Sequence, residues 1–183
     1  MFISLDPGFK WKPEENTLEA VRDWEENNIY IEKIKGRGKN YHWYRTHELT
    51  WMILNKFEPD IKIAEIKPYF AHTNSAKCCL EKEYNWKADI RLFENCREYI
   101  PNEVILLDPD VVITQGNEAK DSIKASLKPI ESGEFKNYLF QLSSEKKILW
   151  FHTYHPRRFG DFNRQRREHF DDYANLIYQF YST

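Results

Sequence analysis

The sequence lacks most of the features that would set it apart from an ordinary globular protein. Its longest apolar runs, such as Val104-Ile105-Leu106-Leu107, are four residues long, against the roughly 20 that a membrane-spanning helix needs. No cationic stretch precedes the apolar Met1-Phe2-Ile3, so a secretory leader is not expected. Cysteine is scarce, with three residues in 183, two of them adjacent at Cys78-Cys79. So few thiols argue against a disulfide framework and suit a reducing compartment, so a cytoplasmic protein is expected. An excess of one charge is also missing. The net charge is −2, so no global basic field advertises a polyanionic partner, and nucleic-acid contact would need a local patch. No internal repeat, low-complexity tract or linker divides the chain, which reads as one domain over residues 1–183.

What is present is a core-forming sequence rich in large rings. Hydrophobic residues make up 41%, charged residues 31% and aromatics 16%, the last supplying rings for packing and for stacking. The opening MFISLDPGFK organises the rest. A short apolar run closed by Asp6-Pro7-Gly8 reads as a buried strand entering a turn. In open α/β proteins the carboxyl ends of strands are where ligands sit, which places Asp6 at a chemically useful position. The alternative is a turn in which Asp6 only bonds nearby backbone.

Further along, Asn16 and Glu19 at capping-box spacing predict a helix over residues 17–27. Leu49, Met52, Ile53 and Phe57 predict a second helix, capped by Thr46 and closed by Pro59-Asp60. A strand is expected over residues 66–72, ending in Thr73-Asn74-Ser75. Apolar residues at Phe93, Cys96, Ile100, Val104 and Leu107 predict one helix kinked at Pro101 and stopped by Asp108-Pro109-Asp110. Val111-Val112-Ile113-Thr114 reads as a buried strand that turns at Gln115-Gly116-Asn117 into a helix from about Glu118. Residues 135–142 and 147–152 read as an antiparallel hairpin, and a charged, aromatic helix is expected over residues 163–181. Strands alternating with helices at this spacing predict an α/β fold. The expected form is a three-layer α/β/α sandwich around a mostly parallel four-stranded sheet, with the hairpin near residues 135–152.

Four strand ends then share one edge: Asp6-Pro7-Gly8, Thr73-Asn74-Ser75, Gln115-Gly116 and His155-Pro156. A carboxylate, an amide and an imidazole are suited to cleaving a bond to a heterocyclic base. The carboxylate orients water or stabilises a cationic sugar, the amide reads a base edge, and the imidazole supports the departing anion.

In these residues the chain resembles the uracil-DNA glycosylase superfamily. ISLDPGF resembles the superfamily's first motif, a strand followed by a water-activating loop, and AHTNSAKCC resembles the strand whose asparagine recognises the base. NCREYIPNEVILLDPDVVITQGNEAK is similar to the helix–strand–glycine segment of the iron–sulfur members, and YHPRRFG to the closing motif whose loop presses into DNA. The resemblance implies that Asp6 positions water, that Asn74 binds the base edge and that His155 stabilises charge on the base oxygen. It implies a ring that stacks on the flipped base, for which Tyr41 and Trp43 are both eligible or else core. It also implies an inserted side chain, for which Phe159 is a candidate that could equally pack inward. Arg157 and Arg158, beside that loop, suit phosphate contacts, whereas Arg164, Arg166 and Arg167 fit a solvated helix face as well.

Two departures from the family pattern qualify this. Three thiols cannot supply the four ligands of a cubane cluster, so no metal site and no cofactor is expected. Cys96 also falls on an apolar helical stripe, as a small buried residue would. The first motif carries apolar Leu5 before Asp6, and Arg157-Arg158 stand where a serine usually follows the proline. The expected function is therefore a DNA glycosylase that flips a damaged base, uracil by default, and hydrolyses its N-glycosidic bond without a metal. A binding module of the same fold without turnover, and a small-molecule enzyme on an unrelated α/β fold, are the alternatives. A monomer acting on DNA, with no membrane partner, is expected. Because the first strand begins at Met1 with nothing to cover it, a longer natural chain is also an expectation.

Overall fold

The computed structural model describes residues 1–4, 17–19, 22, 42–77, 90–127, 130–132, 137–141, 147–153 and 161–182. Among these residues six strands form one sheet: β1 (Phe2–Ser4), β2 (His72–Asn74), β3 (Val111–Gln115), β4 (Ile130–Ser132), β5 (Asn137–Gln141) and β6 (Lys147–Thr153). Their order across the sheet is β2-β1-β3-β6-β5-β4. The first four are mutually parallel, while β5 runs antiparallel to β6 and β4 antiparallel to β5. The α/β class is as expected, and the four parallel strands are there. The sheet is nonetheless wider than the four strands predicted, because the short β4 pairs onto β5 and extends one side. The residues between β5 and β6, 142–146, lie outside the described set, so no hairpin turn is described there.

Among the described residues five helices flank the sheet: α1 (His42–Phe57), α2 (Ile90–Cys96), α3 (Tyr99–Leu107), α4 (Asn117–Leu127) and α5 (Asp161–Ser182). The period-2 pleat divides the strand side chains between two cores. Met1, Ile3, Val112, Ile148 and Trp150 point one way and pack with Ile100 and Val104 of α3 and Ala119 and Ile123 of α4. Phe2, Ile113, Leu149 and Phe151 point the other way and meet Leu49 of α1 and Phe170 and Ile177 of α5. Both faces of the central strands are thus dry, which is why β1, β3 and β6 read as nearly unbroken apolar runs rather than as alternating ones.

Several boundaries differ from the sequence reading, each for a local reason. The segment expected as a strand over 66–72 instead makes a short 3-10 turn, Lys67–Tyr69, directly after another at Ile63–Glu65, before β2 begins at His72. Pro68 fixes its own φ and offers no N–H to a ladder, so it favours the turn. The expected single kinked helix is two helices, and the break falls at Arg97-Glu98 rather than at Pro101. Pro101 is the third residue of α3, in a first turn where an N–H has no helical partner to lose. Thr46 does not cap α1 but lies one turn inside it, fully buried. Of the helix expected over 17–27, only residues 17–19 and 22 are described.

Two turns match their residue types. Asp108 ends α3 in the left-handed region at φ 41°, its N–H returning to the Val104 carbonyl at 3.0 Å. Gly116, at φ 112°, takes the chain from β3 into α4, a conformation open to glycine because it has no Cβ.

Pairing of β1 with β3 extends to the residue before Phe2. The buried Met1 donates its nitrogen to the Val111 carbonyl at 2.7 Å and accepts the Ile113 N–H at its own carbonyl at 2.8 Å.

Candidate active site

Parallel pairing sets the carboxyl ends of β1, β2, β3 and β6 along one edge. Ser4 stands beside Asn74, Ile3 beside Thr114, and Gln115 beside Thr153. The pleat carries Ser4 and Gln115 onto the face of Phe2 and Ile113, towards α1, and Asn74, in register with Ser4, shares that face. Thr46 of α1 meets Gln115, whereas Thr50, Ile53 and Phe57 line a space with Met1 and Val111 at the strand starts. Helix α1 therefore runs against the strands, and its first turn, which contains Trp43, lies at the strand-end edge.

Beneath this edge, polar groups are buried and mutually satisfied. The Ser4 hydroxyl donates its only proton to Gln115 Oε1 at 2.7 Å, so the contact with His72 Nε2 at 2.8 Å has the imidazole N–H donating to Ser4 Oγ. Gln115 Nε2 in turn donates to Thr46 Oγ1 at 3.3 Å. One chain of donors thus ties β2, β1, β3 and α1 together at the end of β1. On the opposite face Thr114 plays the same part for β3 and β6. Its hydroxyl accepts from Trp150 Nε1 at 3.0 Å and donates to the Phe151 carbonyl at 3.2 Å, and Thr153 Oγ1 donates to the Thr114 carbonyl at 3.2 Å. Gly116 N adds a bond to the Thr153 carbonyl at 2.9 Å. Such networks fix a rigid floor when every member is paired and are costly when one is missing.

Ser4 is the junction. Ser4→Ala should destabilise the fold by about 1–3 kcal/mol, because Gln115 Oε1 loses its donor while remaining buried. Thermal or denaturant unfolding checks this, and a change below about 0.5 kcal/mol would show that water or a neighbour replaces the hydroxyl.

Asn74 is the predicted site residue whose side chain the structure describes. It ends β2, is half-buried, and its side-chain amide has no hydrogen-bond partner among the described residues. Its neighbour Ser75 is fully buried and donates its N–H to the Ser4 carbonyl at 2.9 Å, which locks the end of β2 against β1. Trp43 lies in the first turn of α1. Asp6, Tyr41, His155, Arg157, Arg158 and Phe159 fall outside the described residues. The sequence reading placed Gln115 at one of the four strand ends without giving it a role, and did not nominate Ser4, His72 or Thr46 as site residues. The signal for Ser4 and Gln115 was a polar residue at the end of an apolar strand, whereas for Thr46 the helical pattern pointed instead to a cap.

Among the described residues a cavity of about 570 Å³ opens at the other edge of the sheet, lined by Met1, Phe57, Tyr69, Leu107 and Tyr181 among others. None of its lining belongs to the strand-end edge, so the site is placed by the chemistry of the strand ends. Cys96 is buried on α2, where its sulfur accepts the Lys77 N–H at 3.2 Å, and Cys78 and Cys79 lie outside the described residues. Three thiols in the whole sequence do not fit a four-thiolate cluster.

Matched against known families, residues 15–177 fit the uracil DNA glycosylase superfamily. The chain belongs to that superfamily. Tyr41, Trp43, Asn74, His155, Arg157, Arg158 and Phe159 fall within the matched span, while Asp6 precedes it. Superfamily membership points to glycosylase-type chemistry, hydrolysis of N-glycosyl bonds, with DNA as the substrate class. No curated protein matches the chain. No helix among the described residues is long and apolar enough to cross a membrane.

Proposed function

We propose that this superfamily member is a DNA glycosylase that takes a damaged base, uracil by default, out of the duplex and hydrolyses its N-glycosidic bond. One observation carries the reading. Four parallel strands end along one edge over a satisfied polar floor, and Asn74 stands there half-buried with its side-chain amide uncommitted among the described residues. A half-buried amide that a bound ligand would cover discriminates between ligands, because the wrong partner then leaves it unsatisfied.

The other roles follow from chain reach and chemistry. Asp6 comes two residues after Ser4, and His155 two after Thr153, so each lies within about 7 Å of its strand end. Asp6 orients water towards C1′ of the deoxyribose as the bond to the base lengthens. The base departs with the bonding electron pair, and His155 donates a hydrogen bond to the oxygen on which that charge collects. The water oxygen bonds to C1′, its proton leaves through Asp6, and the base anion is protonated from solvent. Tyr41 or Trp43 stacks on the extruded base. Arg157 and Arg158 hold phosphates, and Phe159 fills the gap in the duplex.

A second reading, a module of the same fold that binds DNA without turnover, is favoured by Leu5 before Asp6 and by Arg157-Arg158 after the His-Pro pair. Oligonucleotides carrying one uracil, hypoxanthine or xanthine, single- and double-stranded, decide between the two. The expected result is alkali-labile abasic sites at the modified position. DNA binding with no abasic site on any of these substrates would establish the second reading instead.

A further inference from the structure

The carbonyl of Asn74 has an unusual partner. Ala71 O accepts from Phe2 N and Ser75 N donates to Ser4 O, so residues 71, 73 and 75 turn their backbone groups to β1 and Asn74 turns its own to the outside. Among the described residues β2 is the edge of the sheet, and no further strand receives that carbonyl. Lys77 receives it instead, its ammonium donating to Asn74 O at 2.6 Å. The same ammonium donates to Thr73 Oγ1 at 2.7 Å and to Glu103 Oε2 at 2.7 Å, and Thr73 Oγ1 donates to the same carboxylate oxygen at 3.1 Å. All three N–H bonds of the ammonium are used. Lys77 is also pinned by its own backbone, whose N–H reaches Cys96 Sγ at 3.2 Å.

The two sides of Asn74 are therefore separated. Thr73 is in register with Ile3 and Asn74 with Ser4, so Thr73 and Glu103 of α3 stand on one face of the sheet and the Asn74 side chain on the other. An ammonium held at Thr73 and Glu103 acts on Asn74 through its backbone and does not meet a base bound at its amide.

We propose that Lys77, clamped by Glu103 and Thr73, is a positioning residue that fixes the Asn74 peptide and thereby aims the Asn74 amide at the base. An edge residue without a neighbouring strand frays readily. A charged tripod between β2 and α3 supplies the missing anchor at the one edge position where the site needs a fixed side chain. The functional consequence rests on the glycosylase reading, whereas the clamp itself does not.

A double-mutant cycle with single-turnover uracil excision tests it. Lys77→Met should slow excision tenfold or more while affinity for undamaged duplex is unchanged. In an Asn74→Ala background the same substitution should cost less than twofold, since its effect passes through Asn74. An equal loss in both backgrounds, or no loss in either, overturns the proposal. A second readout does not need activity: the Asn74 side-chain NH₂ pair in ¹⁵N spectra, assigned by its disappearance in Asn74→Ala. It should be sharp in the parent protein and broadened or shifted in Lys77→Met. An unchanged pair overturns the clamp, and a changed pair in a protein that excises no base upholds the clamp while the glycosylase reading fails. Should Lys77→Met not fold, Glu103→Gln, which weakens the hold on the ammonium, should give the same pattern at smaller amplitude, and its absence there is equally decisive.

Discussion

Asp6→Asn is expected to slow uracil excision by about 10²–10⁴-fold, the range typical of removing a positioned proton acceptor from a hydrolytic site, while leaving the unfolding transition unchanged. The two halves of this prediction have different sources. The loss of rate follows if the carboxylate orients and deprotonates the attacking water, because an amide of the same shape can hold water but cannot take its proton. The unchanged stability follows from where the structural burden lies. The end of β1 is held by the Ser4 hydroxyl, by His72 and Gln115, and by the bond from Ser75 N to the Ser4 carbonyl, none of which uses the Asp6 side chain. Single-turnover rates with the enzyme in excess, beside a thermal melt, measure both. An undiminished rate in a folded variant would remove Asp6 from the chemistry, and a collapsed melt would assign the residue to the turn.

Asn74→Ala should cost about 10²–10³-fold in excision, or roughly 3–4 kcal/mol of transition-state stabilisation, the usual price of one preorganised polar group facing developing charge. Affinity for undamaged duplex should stay the same, because phosphate contacts from cationic side chains, not base contacts, supply non-specific binding. The fold should tolerate the change well, since the amide has no partner among the described residues whose bond would be lost. Comparing excision rates with duplex-binding isotherms separates the two effects. Rate and binding falling together would show that Asn74 shapes the DNA surface and does not read the base.

How much of this was legible in the sequence varies from residue to residue. Val112, Ile113, Ile148, Leu149, Trp150 and Phe151 were readable as strand because a chain segment buried on both faces has to be apolar at every position. Residues 117–127 and 161–182 were readable as helix for the opposite reason: each buries one stripe, so the 3.6 period shows. The break at Arg97-Glu98 was not readable, because the apolar spacing of three and four runs straight through it and Pro101 is the more conspicuous interruption. The role of Thr46 was hidden in the same way. A threonine ahead of an apolar helical pattern looks like a cap, and only the approach of Gln115 from β3 shows it to be an interior anchor.

By itself, the sequence determined the alternation of elements, the apolar strands and the polar residues at their ends, because these follow from local propensity and from which side chains can be dehydrated. It therefore placed Asn74 at the end of a strand. The tertiary structure alone decided which strand ends are neighbours, since register is a pairing between segments that are up to 111 residues apart, as Ser4 and Gln115 are. It also decided that the Asn74 carbonyl faces away from β1 and that Lys77 and Glu103 meet there, 26 positions apart. No local pattern encodes such a meeting, because it depends on the order in which the strands assemble.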